Sequence, residues 1–218
     1  MARIARVVVP GIPHHVVQRG VRGMDTFFTA ADRVEYLRLL SEQGKRFGVS
    51  FLAWCLMTNH VHLIAIPEQE RSLALGIGEA HRRYTRYINF REGWRGYLFQ
   101  GRFHSVPLEG IYLLAAVRYV LRNPVRARLV ARAWEYEWSS ARWFVGDTFK
   151  DPLAVSSDML DDIVDRCAFL SQEEDAIKSI RKHTRTGRPL GSKAFIDHLE
   201  QLTGRILHPR KRGPKPIN

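Results

Sequence analysis

The sequence predicts an α+β fold: a split β-α-β arrangement with an antiparallel sheet and helices packed on one face, followed by a helical extension. Three observations predict it. Apolar side chains recur with strand character over residues 14–20, 51–56, 60–66 and 97–106. Helical periodicity runs over residues 29–47, 72–90 and 107–123. Glycine or proline punctuates the junctions, at Pro10, Gly11, Gly20, Gly48, Pro67, Pro107 and Pro124. The resulting order is strand, helix, strand, strand, helix, strand, helix. That is the ferredoxin-like order with one added helix.

Each element has a local reason. Pro10-Gly11-Ile12-Pro13 breaks the chain before His14-His15-Val16-Val17-Gln18-Arg19, which alternates and stops at Gly20. Thr29, with Asp32 three residues on, forms a capping box for a helix whose apolar face is Val34, Tyr36, Leu37, Leu39 and Leu40, and Gly48 ends it. Residues 51–56 turn through Met57-Thr58-Asn59 into 60–66, a hairpin closed by Pro67. The 72–90 helix displays Arg82, Arg83 and Arg86 beside Tyr84 and Tyr87. Pro107 suits the first turn of a helix that runs to Asn123, before Pro124 stops it. Residues 126–146 are basic and then aromatic, and are expected to wrap the core. A composition shift divides a domain over 1–146 from an extension over 147–218. In that extension an acidic helical stretch (157–183) precedes a turn (186–191), a helix capped by Ser192 and ended by Gly204, and a basic tail from Arg210 to Pro216.

Composition narrows the function. The 218 residues carry a net charge of +12, which favours a polyanionic partner, nucleic acid before membrane surface. Residues 151–218 hold 12 basic and 10 acidic side chains, so most of the excess lies in the first 150 residues, where only Lys45 and Lys150 are lysines. Arginine suits forked phosphate contacts. Two cysteines, Cys55 and Cys167, exclude a disulfide framework and a cysteine-built zinc module. Neither a phosphate-binding P-loop nor a His-Glu-x-x-His signature occurs. No apolar run approaches the ~20 residues of a membrane span or forms a signal peptide, and a cytoplasmic, nucleoid-associated protein is expected.

The most informative motif is His60-Val61-His62, because a strand places both imidazoles on one face while Val61 and Leu63 turn to the other. Two neutral imidazoles leave most of a divalent ion's coordination shell open, as suits an ion that also holds a substrate phosphate. Downstream, Tyr119 and Asn123 stand four residues apart, on one helix face. Tyr112, Tyr84 and Tyr87 compete for a nucleophile's role, but only Tyr119 has an amide at that spacing.

With Pro10-Gly11 leading to His14-His15, Asn59-His60-Val61-His62-Leu63, Phe99-Gln100-Gly101-Arg102-Phe103, Arg118-Tyr119-Val120-Leu121-Arg122-Asn123-Pro124 and Trp138-Ser139-Ser140, the chain resembles the single-tyrosine HUH (IS200-like) transposases. Within them it is similar to the REP-associated tyrosine transposases of bacteria, over roughly residues 1–145. The family often has proline where Thr58 stands. The resemblance implies Mg²⁺ or Mn²⁺ held by His60 and His62, with Asn123 as third ligand, and Tyr119 as the nucleophile that forms a 5′-phosphotyrosine bond. It implies single-stranded, hairpin-bearing DNA as substrate, contacts from Arg19, Arg102, Arg118 and Arg122, and a monomer or homodimer. A non-catalytic hairpin- or sequence-specific DNA-binding protein of the same fold is the alternative. A water-activating metal hydrolase and an RNA-binding protein are further rivals.

Overall fold

A computed structural model describes residues 5–146, 150–172 and 176–209. Its centre is a four-stranded antiparallel sheet built from β1 (His14–Arg19), β2 (Val49–Met57), β3 (His60–Pro67) and β4 (His104–Pro107), in the order β2-β3-β1-β4. Helices α1 (Ala30–Phe47) and α2 (Ser72–Glu92) supply the two crossovers. The antiparallel sheet and the ferredoxin-like order agree with the sequence.

The capping box forms as expected. Thr29 Oγ1 accepts the Asp32 amide at 3.2 Å, and Asp32 Oδ2 accepts the amides of Phe28 and Thr29 at 2.8 and 2.9 Å. The Asp32 carboxylate has no solvent exposure and also pairs with Arg91 near the end of α2, so the start of one helix is fastened to the end of the other. Gly48, at φ 64°, ends α1 in the left-handed conformation that glycine adopts without steric cost.

Helix placement departs from the one-face expectation. Val16, Trp54, Leu56, Val61, Leu63 and Ala65 pack under α1 and α2. The opposite face is also apolar, through Ala53, Cys55, Met57, Ile64 and Val106, and it is covered by α3 (Gly110–Leu121). The physical reason is visible in β2, whose Phe51-Leu-Ala-Trp-Cys-Leu-Met run is apolar without alternation, as in strands buried on both sides. A short helix, α4 (Asn123–Arg126), and the turn α5 (Ala141–Phe144) follow.

The fourth strand is shorter than the 97–106 run. Only His104–Pro107 pairs with β1 as a strand; residues 98–100 meet the chain at residues 19–21 through an isolated bridge and the Gln100 amide on the Arg19 carbonyl, and Gly101, at positive φ, interrupts the pairing before His104. Pro107 therefore ends a strand instead of opening a helix. The 157–183 stretch is likewise not one helix: a 3₁₀ turn (Asp158–Leu160), α6 (Arg166–Ser171) and α7 (Ile177–Thr186) divide it, with Asp165 capping α6. Helix α8 (Lys193–Thr203) begins at Ser192 and ends at Gly204 as expected. The basic tail, Arg210 to Pro216, lies outside the described residues.

Residues beyond 150 join the second core. Leu160, Phe169, Leu170, Ile180 and Leu190 pack with Leu113, Val117 and Val120 of α3. They also protect sheet edges. The Val155 amide bonds the Phe51 carbonyl along β2, beside the bond that the earlier Trp138 carbonyl accepts from the Leu56 amide, while Leu190 pairs with the segment after β4.

Candidate active site

Register carries the histidines into line. On β3, His60 and His62 lie opposite Arg19 and Val17 of β1, and Val17 in turn lies opposite His104 of β4. One sheet face therefore presents His60, His62, Arg19 and His104 together, with His15 two residues before Val17 on the same face. Gly20 follows Arg19 because a Cβ there would fall 2.1 Å from the Met24 carbonyl oxygen. That turn lets the Gly20 amide bond Asn59 just before the histidine pair.

Tyr119 comes from α3, on the same side of the sheet. Its ring centroid lies 5.6 Å from that of His62 and 5.7 Å from that of His15, nearly perpendicular to both. Arg126 stacks over the phenol at 4.2 Å, and its Nη2 donates to the Tyr119 carbonyl at 2.6 Å. Among the described residues the Tyr119 hydroxyl has no hydrogen-bond partner. Tyr119 borders a cavity of about 580 Å³ that is also lined by His60, His62, His104, Arg19, Arg181 and Arg185.

Each histidine of the pair is held by its Nδ1. His60 Nδ1 lies 2.6 Å from Asn59 Oδ1, and Asn59 is itself oriented by its amide nitrogen on the Gly23 carbonyl at 3.0 Å. His62 Nδ1 lies 3.0 Å from His15 Nε2. The His15 and His62 rings are 9° from parallel with centroids 5.2 Å apart, the separation an in-plane N–H···N bond requires, so they meet edge to edge rather than face to face. His15 Nδ1 continues to Thr184 Oγ1 of α7 at 3.2 Å.

Electrostatics keep these rings neutral. Burial, then the charge of Arg19, pushes His60 down to about 4. His62 sits well below its ordinary value, first through burial, then through His15, His60 and Arg126. Burial and Arg126 push His15 down to about 3. Neutral imidazole is the metal-binding form.

The family model for IS200-like transposases matches residues 11–123. The chain belongs to that family. A solved structure of the REP-associated tyrosine transposase bound to a REP hairpin aligns over 72% of this chain and 93% of its own, at 17% identity and TM-score 0.56, a likeness of fold. A candidate transposase from Deinococcus radiodurans R1 aligns over 59% of this chain and 92% of its own, at 16% identity and TM-score 0.37. No curated protein matches the sequence.

In this transposase the expected site residues divide into two groups. His60, His62, Tyr119 and Arg19 meet at the cavity. Asn123 does not line it; its Nδ2 donates to the carbonyls of Tyr119 and Val120 at 3.2 and 3.5 Å, a helix-end cap. Arg118 lies 4.2 Å over the Phe169 ring, a packing contact between α3 and α6. Arg102 is exposed beside a separate depression with Tyr97 and Arg82, and Arg122 does not border the cavity.

Sequence reasoning missed His15 as a partner of His62, and it missed the whole contribution of α7. Strand alternation placed His15 on the face of Arg19, but pairing register was needed to bring it to His62. Arg181, Thr184 and Arg185 had no signal beyond their spacing on a polar helix. Two other features carry no such chemistry. A groove of about 770 Å³ outside α1, bordered by Leu37, Trp54 and Trp138, has no histidine or tyrosine. Asp197, Glu200 and His208 place ligand atoms within 4.8 Å of one another, yet Glu200 accepts the Leu207 and His208 amides and His208 pairs with Asp197 at 2.7 Å. No helix among the described residues is long and apolar enough to cross a membrane.

Proposed function

We propose that this transposase cuts and rejoins single-stranded DNA through a covalent 5′-phosphotyrosine on Tyr119, with a divalent ion held by His60 and His62. One observation carries the reading: Tyr119 packs directly against His62 of the pair, and shares with His60 a cavity that Arg19, Arg181 and Arg185 also line. A phenol is a weak nucleophile near neutral pH, and needs the scissile phosphate's charge neutralised and the attack aligned. Arg19, Arg181 and Arg185 are placed to meet phosphate oxygens. Burial beneath Arg126 fixes the phenol ring at the cavity that Tyr119 lines. Attack by Tyr119 Oη on phosphorus forms the phosphotyrosine ester and releases a 3′-hydroxyl. Resealing is attack of a 3′-hydroxyl on that ester, with the phenol as leaving group.

The residues fit a metal. With Nδ1 engaged on each ring, His60 and His62 both have Nε2 to offer, and the donor set of two imidazoles without a lining carboxylate leaves room for water and phosphate oxygens. Bound there, Mg²⁺ or Mn²⁺ supplies Lewis-acid stabilisation of the phosphate. His60 and His62 are the two ligands that geometry supports; Asn123 as a third rests on family resemblance.

The structural relative is bound to a REP hairpin. We take hairpin-bearing single-stranded DNA as the substrate class, since a hairpin flanked by single strand offers both shape and unstacked bases. The test is incubation of the purified full chain with a library of such DNAs and Mn²⁺, read on a denaturing gel. A protein–DNA adduct absent with EDTA and in Tyr119→Phe supports the proposal. Cleavage that survives Tyr119→Phe points to the water-activating rival, and binding without cleavage to the non-catalytic one.

A further inference from the structure

Thr184 has a single hydroxyl proton, and the Ile180 carbonyl accepts it at 2.8 Å. Toward His15 Nδ1, 3.2 Å away, the Thr184 oxygen is then the acceptor, so Nδ1 carries the His15 proton and Nε2 is bare. That bare nitrogen faces His62 Nδ1 at 3.0 Å, and only a proton on His62 Nδ1 completes the bond. Two bare nitrogens there would repel. The direction of every bond from α7 to the histidine pair follows from the hydroxyl at its start.

We propose that Thr184 and His15 are positioning residues: they fix His62 as the Nδ1–H tautomer, leave its Nε2 lone pair for the metal, and make the C-terminal extension part of the catalytic centre. The inference rests on the metal reading above. His60 reaches the same tautomer by an independent route, because Asn59 is oriented by Gly23 to present its oxygen. The opposite polarity has a distinct chemical consequence. If Thr184 donated to His15, then His15 Nε2–H would donate to His62 and place the His62 proton on Nε2, blocking it as a ligand. Thr184 is also anchored through its main chain, where its carbonyl lies 3.1 Å from His104 Nδ1. Substituting its hydroxyl therefore leaves a second tie between α7 and the sheet.

The test reads the ring nitrogens directly, by long-range ¹H–¹⁵N correlation NMR on the metal-free full chain, followed by titration with Mn²⁺. In the wild type, His15 and His62 are expected to be protonated at Nδ1, and Mn²⁺ is expected to broaden the His60 and His62 ring signals. Thr184→Val should mix the tautomers of His15 and His62 while leaving His60 unchanged, which also reports that the site is folded. It should raise the Mn²⁺ needed for broadening about twofold, because an even tautomer mixture halves the fraction of His62 that offers a bare Nε2. Thr184→Ser should restore both readouts. A wild-type His62 protonated at Nε2, or a Thr184→Val protein with unaltered tautomers or unaltered Mn²⁺ response, overturns the proposal. No broadening of either ring in the wild type overturns the metal reading, and the proposal with it. Because the tautomers are read before metal is added, the two failures are distinguishable.

Discussion

Lowering the pH from about 7 to about 5 should remove about 4 kcal/mol of folding stability through His14 and His81 alone, away from the histidine pair. Both are buried, and both use a bare ring nitrogen or a tightly fitted partner. His14 Nδ1 donates to the Ile12 carbonyl at 2.7 Å while its Nε2 accepts the Val9 amide at 3.3 Å, and His81 Nε2 meets the Tyr36 hydroxyl at 2.8 Å. Burial pushes His14 down to about 4, partly opposed by the Ile12 carbonyl, and pushes His81 down to about 3, with Arg6 adding to it. In the unfolded chain both titrate near 6.5. The unfolded state therefore binds protons that the fold refuses, and stability present above pH 6.5 is lost as pH falls toward 4 and 3. At about pH 5 each group costs about 2 kcal/mol, and the pair consumes much of a typical 5–15 kcal/mol. Urea unfolding at a series of pH values measures it. His81→Gln should remove about 2 kcal/mol of the loss between pH 7 and 5, the rest coming from His14 and the depressed histidines of the site, while lowering stability at pH 7; a stability that stays flat between pH 7 and 5 would show that these rings take up protons in the fold as readily as in the unfolded chain.

Other perturbations have defined outcomes. Thr29→Ala should cost about 1 kcal/mol in urea unfolding, through loss of the capping oxygen of α1. Arg91→Met should cost about 3 kcal/mol in the same assay, since it leaves the Asp32 carboxylate buried with only its two amide donors. His60→Ala and His62→Ala should each abolish Mn²⁺-dependent broadening of the remaining histidine's ring in NMR, with far-UV circular dichroism unchanged. The Arg181→Ala/Arg185→Ala double variant should weaken binding of hairpin DNA and reduce the slope of log K against log salt by about 1 to 2, as two exposed cavity arginines cease to release counterions.

How far the sequence reached can be judged residue by residue. Thr29 and Asp32 announced the α1 cap, Ser192 and Gly204 the bounds of α8, and the His-x-His spacing the shared strand face. These are local rules, satisfied within a few residues. The second apolar face was encoded in the unbroken β2 run, whose meaning depends on what covers it. The fourth strand was overread because Tyr97-Leu98-Phe99 is apolar, although this segment meets the chain only at residues 19–21, and Gly101 interrupts the pairing until His104. Asn123 illustrates the limit at the site: a carboxamide four residues after a tyrosine satisfies a ligand pattern and a helix cap equally well, and here it bonds the Tyr119 carbonyl. Thr184 lies 169 residues from His15 in the chain, so no spacing rule reaches it.

Peptide mapping by mass spectrometry decides whether Tyr119 is the nucleophile. After reaction with hairpin-bearing single-stranded DNA and Mn²⁺, nuclease trimming and trypsin should leave the tetrapeptide Tyr119-Val120-Leu121-Arg122 bearing a 5′-linked nucleotide on its phenol. Cleaved DNA with a free 5′-phosphate and an unmodified Tyr119 peptide, or an adduct on Tyr112 instead, would contradict the account.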